Sequence, residues 1–412
     1  MTKTYLKYRS RVIITSGLIV FCWVGLSVRL FQIQIIDGEE LRLKGHNQSM
    51  IQKPLKAVRG NIFDRDNAAF TRNIIHYSFG VHPALIDNKE EFAEWISTSI
   101  GGNKDKYLKK LNSSRSFEYL ERNLQRKHCE KLLINKPQGL IVERDSRRYY
   151  PHGNLASQVL GFVDLDDKGI AGIEQKFNSY LAGKPGWIVR QMSGRGYSMY
   201  KTNLPQKTPV DGASIQLTID LDYQAILQEE LAAQLELTNA ISAMGLILNP
   251  QTGDILAMAT VPDFDPNYPG RGEISWQRNK VITDQFEPGS TFKIVPLTAA
   301  VDQNTVSLWQ EFNCENGSYT YAGHKIRDWD DFGLLTMPQI MENSSNVGVI
   351  KIAETLSQNN LYHYSRDLGF GMQTHISLAG EHPGTLHQVS EWSKISLAEV
   401  SLGHEVAVTA LQ

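Results

Sequence analysis

Cysteine is scarce in this chain of 412 residues: Cys22, Cys129 and Cys314 stand far apart, and none belongs to a C-x-x-C pair. That excludes a disulfide framework and a cysteine-built metal site. Net charge is also missing, since 42 lysines and arginines face 44 acids for a formal charge of −2. With 21% charged residues there is no bulk basicity to attract nucleic acid. Internal repeats and low-complexity tracts are absent, which argues against a solenoid or a disordered tail. What remains, at 41% hydrophobic residues, is ordinary globular composition in a chain long enough for two domains beyond any anchor.

Long apolar runs are lacking too, with one exception. The first eleven residues carry Lys3, Lys7, Arg9 and Arg11 and no acid; residues 12–28, "VIITSGLIVFCWVGLSV", then run for 17 residues without a charge. The first acid is Asp37. An apolar run with cations on its leading side predicts a single membrane anchor, residues 12–36, with a cytoplasmic tail at 1–11 and the body outside. No small-x-small site closes the run, so an uncleaved anchor is expected rather than a signal peptide.

From residue 37 the text is soluble in character. Residues 57–83 read as short strands around an Asp-Asn turn, residues 88–138 as charged and helical, and residues 168–187 as a short amphipathic helix. The stretch 192–214 is rich in Gly, Pro, Ser and Thr and is read as the boundary between a domain at 37–214 and a second at 215–412. The second opens with a strand and an amphipathic helix. "AMGLILNPQTGDILAMATVP" follows as a hairpin, its turn supplied by Pro250, Thr252 and Gly253. Mostly helical text continues to the end.

The chemistry-bearing candidates lie there. "FEPGSTFK" sets Ser290 after a Pro-Gly turn and Lys293 three residues later, before an apolar run at helical spacing. In the first turn of a helix both side chains share a face, and a desolvated lysine can take the proton of a serine nucleophile. Ser290 as a plain helix cap fits the same text. The S-x-x-K pattern recurs at Ser198/Lys201 in the linker, where nothing would hold the pair together. "MENSSNVGV" places Ser344, Ser345 and Asn346 before a second apolar run, where Ser344 and Asn346 suit either a proton relay and carbonyl grip or a helix cap. Ser-x-Asn also recurs at Ser357/Asn359 in what reads as a loop.

The order of these pieces resembles the class B penicillin-binding proteins, and most closely their division-specific D,D-transpeptidases. The likeness runs from the anchor through "RGNIFDR" (59–65), "RRYYP" (147–151) and "GIAGIE" (169–174) to "NPQTGDILAMATVPDFDPN", "FEPGSTFK", "SSNVGV" and "GEHPG". It implies a mixed α/β chain: a transmembrane helix, an elongated α+β pedestal (dimerisation) domain, then a transpeptidase fold of an antiparallel sheet with helices on both faces. It further implies that Ser290 attacks the penultimate D-alanine of a stem peptide. Lys293 would take its proton, Ser344 would pass one to the leaving amine, and Asn346 would bind the peptide backbone. The expected ligands are D-Ala-D-Ala stem peptides and β-lactams. The expected partners are division-machinery membrane proteins, among them a glycan-polymerising glycosyltransferase, at the bacterial inner membrane. No cofactor, metal or nucleic acid is implied.

The sequence departs from the pattern in one major respect: it contains no Lys-Thr-Gly. The pairs Lys201-Thr202-Asn203 and Lys207-Thr208-Pro209 lack the glycine. The transpeptidase domain is therefore expected to be C-terminally incomplete. A catalytically inert anchored scaffold is one alternative, and a β-lactam sensor or β-lactamase is another. Pro296 is expected to kink the Ser290 helix, and His404-Glu405 is an unusual pair for the family.

Overall fold

The fold was analysed on a computed structural model, which describes residues 2–135, 137, 139–192, 198–199 and 204–412. Lys201 and Thr202, part of the linker pairs, lie outside the described residues. The chain forms two compact units, Met1–Val58 with Gly183–Gly212, and Arg59–Ala182 with Ala213–Gln412. The segment expected as a pedestal, 37–214, is thus shared between them.

In the first unit a helix spans Thr2–Phe31 and continues as one wider turn, Gln32–Ile36. Among the described residues Arg11–Ile36 is long and apolar enough to cross a membrane. At 1.5 Å per residue its 26 residues extend about 39 Å. Phe21 and Trp23 stand exposed on it, since no protein element covers them. A helix Gly38–Ser49 follows, and the strand Met50–Leu55 pairs antiparallel with Gly186–Met192. The latter also pairs with Ser198–Met199 and Gln206–Lys207, so two short pieces of the Gly- and Pro-rich stretch are strand.

The second unit has several cores. Strands Glu118–Gln125, Arg72–Val81 and Leu140–Tyr149 form one antiparallel sheet with Arg72–Val81 in the middle. Helices Lys89–Ile100, Lys104–Leu111 and Arg126–Ile134 pack with it through Phe92, Ile96, Tyr107, Leu111 and Leu132. The helix expected at 168–187 is broken in two, Gly172–Lys176 and Asn178–Leu181. Its first piece carries Glu174 wholly into the interior, where Arg59 and Arg148 hold it. Arg59 Nη2 also donates to Glu174 O at 2.9 Å, and the helix breaks at Phe177, φ −103° and ψ 20°.

The hairpin forms as expected, Ala243–Leu248 against Ile255–Val261. Helix Leu221–Thr238, capped by the Asp220 carboxylate, packs on it. Gln224 is buried there and acts as a strand mimic, donating to Met258 O at 3.0 Å and accepting from Met258 N at 2.8 Å. The remaining core joins helices Ile294–Asp302, Asn346–Ala353 and Ser396–Ser401 through Leu297, Ala300, Val347, Ile350 and Ala398. Small side chains at the contacts let these helices approach closely.

Two sequence expectations change here. The end of the chain is not the interior of a helix: the helix stops at Ser401, and a turn at Gly403 leads into the strand Val406–Ala407. Pro296 lies just past the point where the 3-10 turn Gly289–Lys293 passes into the α-helix Ile294–Asp302.

Candidate active site

Ser290 and Lys293 lie on a single 3-10 turn, Gly289–Lys293, which passes into the α-helix Ile294–Asp302. The turn is tighter than the expected α-helical one, and at three residues per turn positions i and i+3 eclipse, so the pair lines up along one edge. Phe292 and Val295, both buried, anchor the inner side against Leu361, Leu397, Val400 and Val406. Phe370 meets Phe292 edge-on at 4.8 Å between ring centroids.

The outer side is fixed by the backbone. Gly289 N donates to Gly403 O at 3.1 Å, and Phe286 and Val408 exchange two hydrogen bonds of 3.0 and 2.9 Å. Gly403 has φ +82°, and a Cβ there would stand 2.1 Å from Gly289 O. Only glycine satisfies both demands. The residue before this turn, Pro288, makes no side-chain cap, and Ser290 itself is exposed.

Lys293 is 2% exposed. Its ammonium has three acceptors, none of them Ser290: Ser344 O at 2.6 Å, Ser344 Oγ at 3.0 Å and Asn346 Oδ1 at 2.6 Å. Burial lowers its pKa from 10.5 to about 8, against an opposing pull from the Asp328 carboxylate. Ser344 reaches the ammonium with both carbonyl and hydroxyl because its backbone is left-handed, φ +51°, a strained choice for serine.

The cap that the sequence left undecided is Ser345. Its hydroxyl accepts from Gly348 N at 2.9 Å and opens the helix Asn346–Ala353. Ser344 and Asn346 are thereby left to face Lys293. Asn346 has both ends of its amide engaged, since Nδ2 donates to Arg327 O at 2.8 Å. Ser357, read earlier in a loop, is in fact the cap of the helix Gln358–Asp367.

Asp328 was not anticipated. Its carboxylate accepts from Ser345 Oγ at 2.7 Å, from Val347 N at 3.0 Å and from Asn346 N. It thus sits on the positive end of the Asn346 helix and holds the second motif in place. In the sequence it is one acid among several in "RDWDD", 17 residues from its partner, with no local pattern to single it out. Next to it Trp329 donates its indole N–H to Asn343 O at 2.8 Å, although the ring is largely exposed.

Comparison with known proteins places these features. Residues 243–412 match the penicillin binding protein transpeptidase domain, and residues 54–217 match the penicillin-binding protein dimerisation domain. The chain is 29% identical over 402 residues to Stage V sporulation protein D of Bacillus subtilis, covering 96% of this chain and 62% of that protein. It is 30% identical over 398 residues to the probable peptidoglycan D,D-transpeptidase PenA of Neisseria meningitidis, covering 96% and 68%. To the peptidoglycan D,D-transpeptidase FtsI of Escherichia coli it is 28% identical over 410 residues, covering 98% and 69%. The chain spans about two thirds of the length of the curated relatives it matches. Among solved structures, the penicillin-binding protein PBP2 of Helicobacter pylori, in complex with MreC, shares the fold with a TM-score of 0.74 at 20% identity, covering 88% of this chain and 75% of that one.

Proposed function

The chain belongs to the penicillin-binding proteins with a transpeptidase domain, and we propose that it is a peptidoglycan D,D-transpeptidase of the septum in which Ser290 is the nucleophile. The observation that carries this reading is the burial of Lys293 one tight turn after an exposed serine, with its nitrogen bridging Ser344 and Asn346.

Neutral Lys293 accepts the proton as Ser290 Oγ attacks the penultimate D-alanine carbonyl of a stem peptide. Ser344 Oγ, 3.0 Å from Nζ, is placed to pass that proton to the departing amine of the terminal D-alanine. The C–N bond breaks and an ester to Ser290 remains. An amine of a neighbouring stem peptide then attacks the ester, and the cross-link forms as Ser290 regains its proton. Asn346 positions Lys293 through Oδ1, and its Nδ2 exchanges Arg327 O for a substrate carbonyl on binding. A β-lactam acylates the same serine. The N-terminal helix holds the protein in the inner membrane with its tail in the cytoplasm. The body then works outside with other division proteins, including a glycosyltransferase that supplies the glycan.

Labelling of the whole chain in detergent with a fluorescent penicillin tests this reading. Label on the parent chain and none on Ser290→Ala is expected. A parent chain that takes no label at Ser290 would sink the enzyme reading and favour the anchored scaffold.

A further inference from the structure

The pair His404-Glu405, singled out in the sequence, has no part in the proposed reaction, yet it follows the glycine that packs on the serine turn. The helix Ser396–Ser401 ends there in a Schellman turn. Gly403 N donates to Val400 O at 3.0 Å, His404 N donates to Glu399 O at 2.8 Å, and Gly403 takes φ +82°. These are the bonds that close a helix when a glycine follows its C-cap. The Gly403 carbonyl is left for a partner outside the helix, and it accepts from Gly289 N at 3.1 Å, one residue before Ser290.

In such turns the residue in the place of His404 commonly makes an apolar contact with the residue in the place of Glu399. Here the contact is polar. His404 Nδ1 lies 2.9 Å from Glu399 Oε2, so Glu399 holds His404 by backbone and side chain together. A carboxylate only accepts, so Nδ1 carries the proton of this bond whether the ring is neutral or charged. The two side chains are 50% and 25% exposed. Glu405 follows at φ +54°, a strained left-handed conformation for a residue with a side chain. Beyond it Val408 exchanges two hydrogen bonds with Phe286, so the strained stretch is fastened at both ends to the residues leading into Ser290.

We propose that His404 is a positioning residue for the nucleophile: its bond to Glu399 holds Gly403, and the Gly403 carbonyl fixes Gly289 and with it the turn that carries Ser290 and Lys293. Val400 and Phe292 lie in one buried cluster, which keeps helix and turn packed when the His404 bond is cut. What is lost is the alignment of Ser290, and a small misplacement of a reacting group carries a large cost in rate. The functional half of the proposal rests on Ser290 being the nucleophile, and the test separates the two.

The whole chain in detergent is compared with His404→Ala and His404→Asn. The asparagine amide places an N–H close to where Nδ1–H stands and keeps a donor for Glu399. Hydrogen exchange on the peptide 286–293 reads the Phe286 and Gly289 amides, whose partners are Val408 O and Gly403 O. The concentration dependence of acylation by a fluorescent penicillin separates noncovalent binding from the acylation step. His404→Ala should exchange faster in this peptide and acylate at least about fivefold more slowly, with the binding constant unchanged. His404→Asn should exchange like the parent and acylate within about twofold of it. An exposed ion pair adds little to global stability, so both variants should melt with the parent. Parent-like exchange or parent-like acylation in His404→Ala, or an equal loss in both variants, overturns the inference. A parent chain that takes no label overturns the reading of Ser290 instead, and hydrogen exchange then decides alone whether His404 holds Gly289.

Discussion

If Lys293 is the base, acylation of Ser290 must follow the fraction of the lysine that is neutral. With a pKa of about 8, roughly 9% of molecules carry neutral Lys293 at pH 7; at the ordinary 10.5 the fraction would be about 0.03%. Burial, net of the Asp328 pull, therefore raises the amount of neutral lysine at neutral pH about 300-fold. Second-order acylation by a fluorescent penicillin should rise about tenfold from pH 6 to 7, about fivefold from 7 to 8, and only about twofold from 8 to 9. Asp328 supplies an internal control, because its charge pulls the Lys293 pKa up. Asp328→Asn removes that pull, so the midpoint should move to lower pH even if the plateau falls through loosened geometry. A midpoint above pH 9.5, a flat profile, or an upward shift in Asp328→Asn refutes the assignment. The same depressed pKa affects stability: protonated Lys293 is disfavoured in the fold, so the fold gains stability as pH rises from about 8 to 10.5.

Asp328→Asn should also cost about 1 to 3 kcal/mol in urea unfolding, because three hydrogen bonds to a charged acceptor weaken together. Gly403→Ala should cost at least about 2 kcal/mol, since its Cβ would meet Gly289 O at 2.1 Å and its φ is +82°. Penicillin labelling should fall with it, because Gly289 adjoins Ser290. Glu174→Gln leaves Arg59 and Arg148 without their buried carboxylate and should cost about 3 to 5 kcal/mol, read as a lower denaturant midpoint.

The parts of the fold legible in the sequence were those written locally. The hairpin announced itself through apolar runs around Asn249 to Asp254, and the N-terminal apolar helix through a run without charge. Ser290 and Lys293 were legible because three residues fix their relation once a helical turn forms. What escaped was set by distance. Glu174 sits on a segment whose periodicity suggests one helix, and its partners Arg59 and Arg148 lie 115 and 26 residues away. The text around Gly403 reads as the interior of a helix, and nothing local says that Gly403 must pack on Gly289.

Asp328 bears on the largest gap in the sequence pattern. The resemblance assigns the tuning of the base lysine partly to the lysine of a Lys-Thr-Gly motif, which these 412 residues do not contain. In the structure a large share of that tuning is already present. Desolvation brings Lys293 to about 8, and Asp328 opposes it while holding Ser345 and Asn346 in place. The carboxylate thus serves geometry at some expense to the neutral fraction of Lys293. A second cation near the site would lower the lysine further by like-charge repulsion, and would act on a group burial has already brought near neutral pH. If Lys293 is the base, its preparation is in this sense a property of the serine turn and the Asn346 helix.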